Sequence, residues 1–193
     1  MMTLAVLLAA LWIWGWMKIS PGESDQSLPV LASIEDFSLT ERDGEPLSFA
    51  DLKGHIWVAD FIFTSCPGPC PMMTSKMSQL QTAFSVVEDV RLVSFSVDPE
   101  RDTPEVLSKY ADHYGADKDK WLFLTGDKKE IYDLAISSLK LSVREDPESM
   151  QIIHSTQFVL VDKTGRIRGY YNSRENEALR QLVLDVERLR REG

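Results

Sequence analysis

Ile56-Trp57-Val58-Ala59-Asp60-Phe61-Ile62-Phe63-Thr64-Ser65-Cys66-Pro67-Gly68-Pro69-Cys70-Pro71 decides the fold class. Ile56 to Phe63 is a near-continuous apolar run broken only by Asp60, the pattern of a strand buried on both faces of an α/β sheet. The loop that follows holds both cysteines of the chain. Pro71 then opens a helix, where the missing N–H of proline costs nothing. Met73, Met77, Leu80 and Phe84 recur at helical spacing and give that helix an apolar stripe.

Outward from this stretch, the same kinds of signal repeat. Phe37 to Thr40 alternates as a short strand, and Arg42-Asp43-Gly44 is a turn. Arg91 to Val97 is a strand that Asp98-Pro99 breaks. Thr103-Pro104-Glu105 supplies an N-cap, a first-turn proline and a first-turn acid for a helix to about Tyr114. Trp121 to Thr125 is a strand, and Asp127 caps a helix to about Leu139. Gln157–Val161 and Ile167–Tyr171 flank the turn Asp162-Lys163-Thr164-Gly165 as a hairpin. A last helix, about Glu175 to Arg190, turns Leu179, Val183, Val186 and Leu189 to the core. Strands alternating with helices and then a hairpin predict an α/β fold with a mixed central sheet flanked by helices. With the cysteine loop between a buried strand and a helix N-terminus, this is a thioredoxin-like topology.

The 193 residues carry a net charge of −9, and Lys18 is the only charge before Glu23. So acidic a chain excludes nucleic acid as a partner, which selects basic surfaces. Met1 to Met17 is uncharged, and Trp12, Trp14 and Trp16 gather at its far end. At ~1.5 Å per residue it spans roughly 25–28 Å, close to a ~30 Å hydrocarbon core. Tryptophan favours the membrane boundary. Residues 1–19 are read as a transmembrane anchor, or else a signal peptide, although no basic start or cleavage signature is present. Residues 20–30 read as a linker, and residues 31–193 as the thioredoxin-like domain.

The spacing Cys66-x-x-x-Cys70 directs both sulfurs one way at a helix N-terminus, whose partial positive charge is expected to lower a cysteine pKa below the free ~8.5. Such a pair can close a disulfide or hold a soft ion. A loop this short gains little stability from a bridge, so the pair is read as redox-active rather than structural. Two thiolates are too few for structural zinc, which takes four ligands. They suit Cu(I), and with an imidazole they suit Cu(II) as well. Of the three histidines, His55 reads as a turn residue and His113 as a helix-end surface residue. His154 precedes the strand that abuts the redox loop in this topology, within reach of the sulfurs.

Three segments carry a family resemblance. Val58 to Cys66 with Cys70-Pro71, Phe95-Ser96-Val97-Asp98-Pro99-Glu100-Arg101-Asp102-Thr103-Pro104, and Ile153-His154-Ser155-Thr156 resemble the signature of the Sco (SenC-type) copper proteins, over roughly Leu31 to Arg190. The resemblance implies a domain tethered by its N-terminal helix on the extracytoplasmic side of a membrane. It implies copper held by Cys66, Cys70 and His154. It also implies a role in assembling the dinuclear copper site of cytochrome c oxidase, with a copper-accepting oxidase subunit or another copper protein as partner. The alternative is a thiol-disulfide oxidoreductase that keeps a client's copper-binding cysteines reduced. Both readings treat the domain as a monomer. A thiol peroxidase is disfavoured, because Phe63 stands where such enzymes place a threonine three residues before the reactive cysteine.

Two carboxylates are candidate supporting residues. Asp60 interrupts the buried strand, where a carboxyl tends to stay protonated and could exchange a proton with a cysteine. Asp98 closes the next strand at the carboxyl end of the sheet, where α/β proteins place their sites. Met73 and Met77 lie on the core stripe. Met72 lies off it, as a candidate soft docking residue.

Overall fold

The structure, a computed structural model, describes residues 27–145 and 152–192, and only the backbone of residues 145 and 152–154. The segment read as an anchor lies outside the described residues. Among the described residues, no helix is long and apolar enough to cross a membrane.

Among the described residues, ten strands and five helices follow in order. They are β1 (Ala32–Ser33), β2 (Ser38–Glu41), β3 (Pro46–Ser48), α1 (Phe49–Leu52), β4 (Ile56–Ile62), α2 (Cys70–Ala83), β5 (Val90–Ser96), α3 (Pro104–His113) and β6 (Trp121–Thr125). Then come α4 (Lys128–Asp133), which runs on as a π-helical turn over Leu134–Ser138, β7 (Val143–Glu145), β8 (Ile152–His154), β9 (Gln157–Val161), β10 (Arg166–Asn172) and α5 (Asn176–Glu192). Eight strands form one sheet in the order β1-β10-β9-β4-β5-β6-β2-β3, while β7 and β8 pair separately.

The centre of the sheet is parallel: β4 runs in register with β5 from Ile56↔Val90 to Ile62↔Ser96, and β5 with β6 from Leu92↔Trp121 to Phe95↔Leu124. All seven residues of β4 are buried, which is what its apolar run demands. Ile56, Val58 and Ile62 face Met73, Met77 and Leu80 of α2, Leu107 of α3, and Leu182 and Val186 of α5. Trp57, Ala59 and Phe61 face Phe49 of α1, Ile131 of α4, and Leu134 and Ala135 of the π-helical turn. Helices therefore cover both faces of a mixed sheet, the thioredoxin-like arrangement. Each fully buried large side chain in these layers contributes about 1.5–3 kcal/mol.

The helix starts are capped as their residues require. Thr103 accepts the Val106 N–H at 3.5 Å ahead of Pro104, and Asp127 accepts the Glu130 N–H at 2.9 Å. Such caps contribute about 1 kcal/mol each. The α5 stripe includes one polar member: Asp185 is buried and accepts the Tyr171 hydroxyl at 2.9 Å.

The β9–β10 turn is built on Asp162, whose Oδ1 accepts the Thr164 and Arg166 N–H groups at 2.9 and 3.0 Å. Gly165 closes it at φ 82°, and a Cβ there would meet the Phe49 ring at 2.1 Å, so glycine is required twice over. Beside it, the buried Arg168 pairs with Asp162 at 2.9 Å and Glu192 at 2.7 Å. Its remaining N–H groups bond the Pro29 and Leu28 carbonyls at 3.2 and 2.5 Å. Leu28 and Pro29, linker by composition, are thus fastened to the domain because they complete the shell of a buried guanidinium.

This topology sets one edge apart. The parallel strands β4, β5 and β6 all end there, and β9, antiparallel to β4 with Val159 opposite Ala59, begins there. The cysteine loop leaves β4 at this edge, and His154 stands three residues before Gln157, the start of β9.

Candidate metal and redox centre

Between Ile62 and α2 the chain turns on short local contacts. The Cys66 N–H bonds the Phe63 carbonyl at 3.2 Å, and the Gly68 N–H points at Cys66 Sγ at 3.4 Å. Pro69 is the N-cap of α2, Cys70 its first residue and Pro71 its second. Both cysteines are free thiols, Cys66 half-buried and Cys70 fully buried, and they are hydrogen-bonded to each other. Cys66 is thus the partly exposed member of the pair, and Cys70 lies in the core.

Burial pushes the Cys70 thiol well above its ordinary pKa; the hydrogen bond with Cys66 and the nearby Asp60 add to this, and only a backbone bond at Phe63 opposes it. This corrects, for Cys70, the expectation that the helix N-terminus lowers a cysteine pKa. For Cys70, desolvation of the charged form outweighs the attraction of the helix dipole.

Asp60 lies beneath α2 on the same sheet face. It has no solvent exposure, and its carboxyl is pushed up to about 7 by burial, against the one favourable contact from Ser94. Ser94, opposite it on β5, donates to Asp60 Oδ1 at 2.6 Å and accepts the Trp121 indole N–H at 2.9 Å. Asp60 Oδ2 is buried without a hydrogen bond. Among the described residues Asp60 has no basic partner, and Cys70 is its electrostatic neighbour.

Asp98 is buried at the end of β5, at the edge expected, but its side chain is engaged by Arg101 Nη1 at 2.9 Å. A residue that strand-end reasoning passed over lies closer to the cysteine loop. Asp102, with no exposure, accepts the Thr64 N–H at 3.0 Å, the Thr64 hydroxyl at 2.5 Å and the Ser96 hydroxyl at 2.5 Å. The available signal was a second aspartate before the Thr103 cap, in a segment already singled out for Asp98.

His154 pairs through its backbone with Val143, and the Ser155 N–H bonds the Ser142 carbonyl at 3.0 Å. The histidine side chain lies outside the described residues. Among those described, no group of three metal-binding side chains converges. Two thiols presented together at one edge fit a soft, low-coordinate ion. Met72 is half-buried and packs on the α2-side core.

A paired half-exposed and buried thiol at a helix start behind a buried strand defines a thioredoxin-like dithiol protein. The SCO1/SenC family model matches residues 26–189. The SCO1 protein homolog of Bacillus subtilis is 41% identical over 160 residues, covering 82% of this chain and 83% of that one. The structure of BsSco, described as a Sco-family cytochrome c oxidase assembly protein with a disulfide switch, superposes with a TM-score of 0.76 at 39% identity and covers 86% of this chain and 98% of its own. Copper-bound ScoI of Bradyrhizobium japonicum gives 0.69 at 27% identity, covering 82% and 99%. The chain belongs to the SCO1/SenC family.

Proposed function

We propose that this chain is a copper-binding metallochaperone that assists assembly of the dinuclear copper site of cytochrome c oxidase. The observation that carries the reading is the Cys66–Cys70 pair, two free thiols in mutual contact at the edge where β4 ends and β9 begins. Family membership supports it, as do the copper in ScoI and the oxidase-assembly role given for BsSco.

In this reading Cys66 and Cys70 hold Cu(I) as thiolates, and His154 completes the set and makes Cu(II) tolerable. Cys70 gives up its proton when the metal binds, since a coordinating thiol is deprotonated. Asp60, beneath the pair with one free buried oxygen, is placed to take that proton, and Asp98 shapes the rim with Arg101. The domain, residues 31–193, works as a monomer on the extracytoplasmic side, held to the membrane by residues 1–19 through a linker that ends at the Arg168 clamp. Its partner is a copper-accepting oxidase subunit or another copper protein.

The second reading, a thiol-disulfide oxidoreductase acting on a client's copper-binding cysteines, is favoured by the asymmetry of the pair. Cys66 is open to attack a client disulfide, and the buried Cys70 then displaces it, leaving a Cys66–Cys70 disulfide and two client thiols. His154 separates the two readings. In the Cu(II) form, the His154→Ala chain should lose or shift the thiolate-to-copper charge-transfer band while Cu(I) binding weakens but persists. An unchanged band removes His154 from the copper. In cells lacking the protein, His154→Ala should fail to restore oxidase activity at low copper. Full restoration by His154→Ala alongside failure of both cysteine variants selects the reductase.

A further inference from the structure

The β4–β5 ladder holds the chain as far as Ile62, whose carbonyl accepts the Val97 N–H at 2.9 Å. Beyond that point, the Cys66 N–H bonds the Phe63 carbonyl and its sulfur meets the Gly68 N–H, both within the loop itself. Asp102 ties this loop to the body of the protein. Its Oδ2 takes the Thr64 N–H and the Ser96 hydroxyl, and its Oδ1 takes the Thr64 hydroxyl. Ser96 Oγ also accepts the Asp98 N–H at 3.1 Å, so the clamp joins the Cys66 loop to the Asp98 turn. A carboxylate with no exposure is costly unless its oxygens are satisfied, and here three donors, two of them from the redox loop, satisfy it.

We propose that Asp102 is a positioning residue that sets Cys66 against Cys70. This rests on the reading of the two thiols as the working centre. A held pair has a high effective concentration of one thiol for the other, and loosening the loop lowers it. Releasing the clamp therefore disfavours the Cys66–Cys70 disulfide and disturbs the sulfur geometry that copper meets. Asparagine can keep every contact. Its amide oxygen takes the place of Oδ2, and its NH2 group donates to a rotated Thr64 hydroxyl.

The test equilibrates the full chain, as wild type, Asp102→Ala, Asp102→Asn and Thr64→Val, against glutathione buffers and reads the disulfide fraction by thiol labelling. Thermal unfolding and the Cu(II) charge-transfer band are recorded alongside. Asp102→Ala should lower the equilibrium constant for disulfide formation at least about tenfold, a potential about 30 mV more oxidising, and shift the band. Thr64→Val should shift both in the same direction by less, and Asp102→Asn should match the wild type. If Asp102→Ala unfolds, Thr64→Val and Asp102→Asn decide the matter by the same expectations. A wild-type potential and band in the released variants, with only a lower unfolding temperature, overturns the positioning role. So does Asp102→Asn behaving like Asp102→Ala, which would assign the effect to charge. Undiminished copper binding without both cysteines would instead sink the reading of the centre, and the disulfide measurement would still judge the clamp.

Discussion

Replacing Cys66 or Cys70 by serine should reduce copper bound by the reduced protein from one ion per chain to none that survives a competing chelator. Serine is nearly isosteric but offers a hard, protonated hydroxyl where a soft ion needs thiolate. Losing an outer partner of a metal ligand already costs about 10–100-fold in affinity, so losing a donor should exceed about 100-fold. The buried Cys70 and half-exposed Cys66 differ in the second consequence. Cys70→Ser puts a hydroxyl into a fully buried site among Met73, Met77 and Ile62, whereas Cys66→Ser changes a surface that water reaches. Cys70→Ser should therefore also lower the unfolding temperature, and Cys66→Ser should not. Copper titration with a chelator and thermal unfolding of the same samples check both statements.

Asp60 should give this protein a pH-dependent stability that its asparagine variant lacks. Burial raises its folded pKa to about 7, above the ~3.9 of an unfolded aspartate. Between those values the folded state holds the proton and the unfolded state has released it. Stability is then fully present below about pH 4 and is lost as pH rises through about 7. Three pH units convert to about 4 kcal/mol, the most by which the wild type should fall relative to Asp60→Asn. The constant cost of a buried amide shifts the variant's curve without tilting it. Denaturant unfolding of both proteins from pH 4 to pH 8 reads the difference, and parallel curves would remove the buried-acid account of Asp60.

Much of this molecule was legible in the chain. The apolar run Ile56–Phe63 gave β4 because a strand covered on both faces has no polar side to show. The Thr103-Pro104-Glu105 and Asp127 starts appear as α3 and α4 because the caps act locally. The turn at Gly165 was legible for the same reason, though its second cause, the Phe49 ring, was not. Short edge elements were missed: β1 has two residues and β3 three, too few for alternation to register. The β7–β8 pair escaped as well, since neither three-residue strand has a period of its own.

At the site, the cysteines were legible from spacing, and their pairing is seen. What the sequence could not supply was depth. The helix N-terminus argued for a lowered cysteine pKa, and the burial of Cys70, visible only once α2 is packed on β4, reverses it. Asp102 was hidden by distance, because its partner Thr64 is 38 positions away and meets it only through the β4–β5 register. Asp98 drew attention for ending a strand, while the aspartate four residues later reaches the redox loop.

The central claim is that the reduced Cys66–Cys70 pair is what holds copper. Copper titration of the oxidised and the reduced full chain, followed by chelator challenge and metal analysis, tests it most directly. The account predicts one tightly held copper in the reduced protein and none in the oxidised protein, because a disulfide has no thiolate to offer. One tightly held copper in the oxidised monomer would contradict it and place the ligands elsewhere.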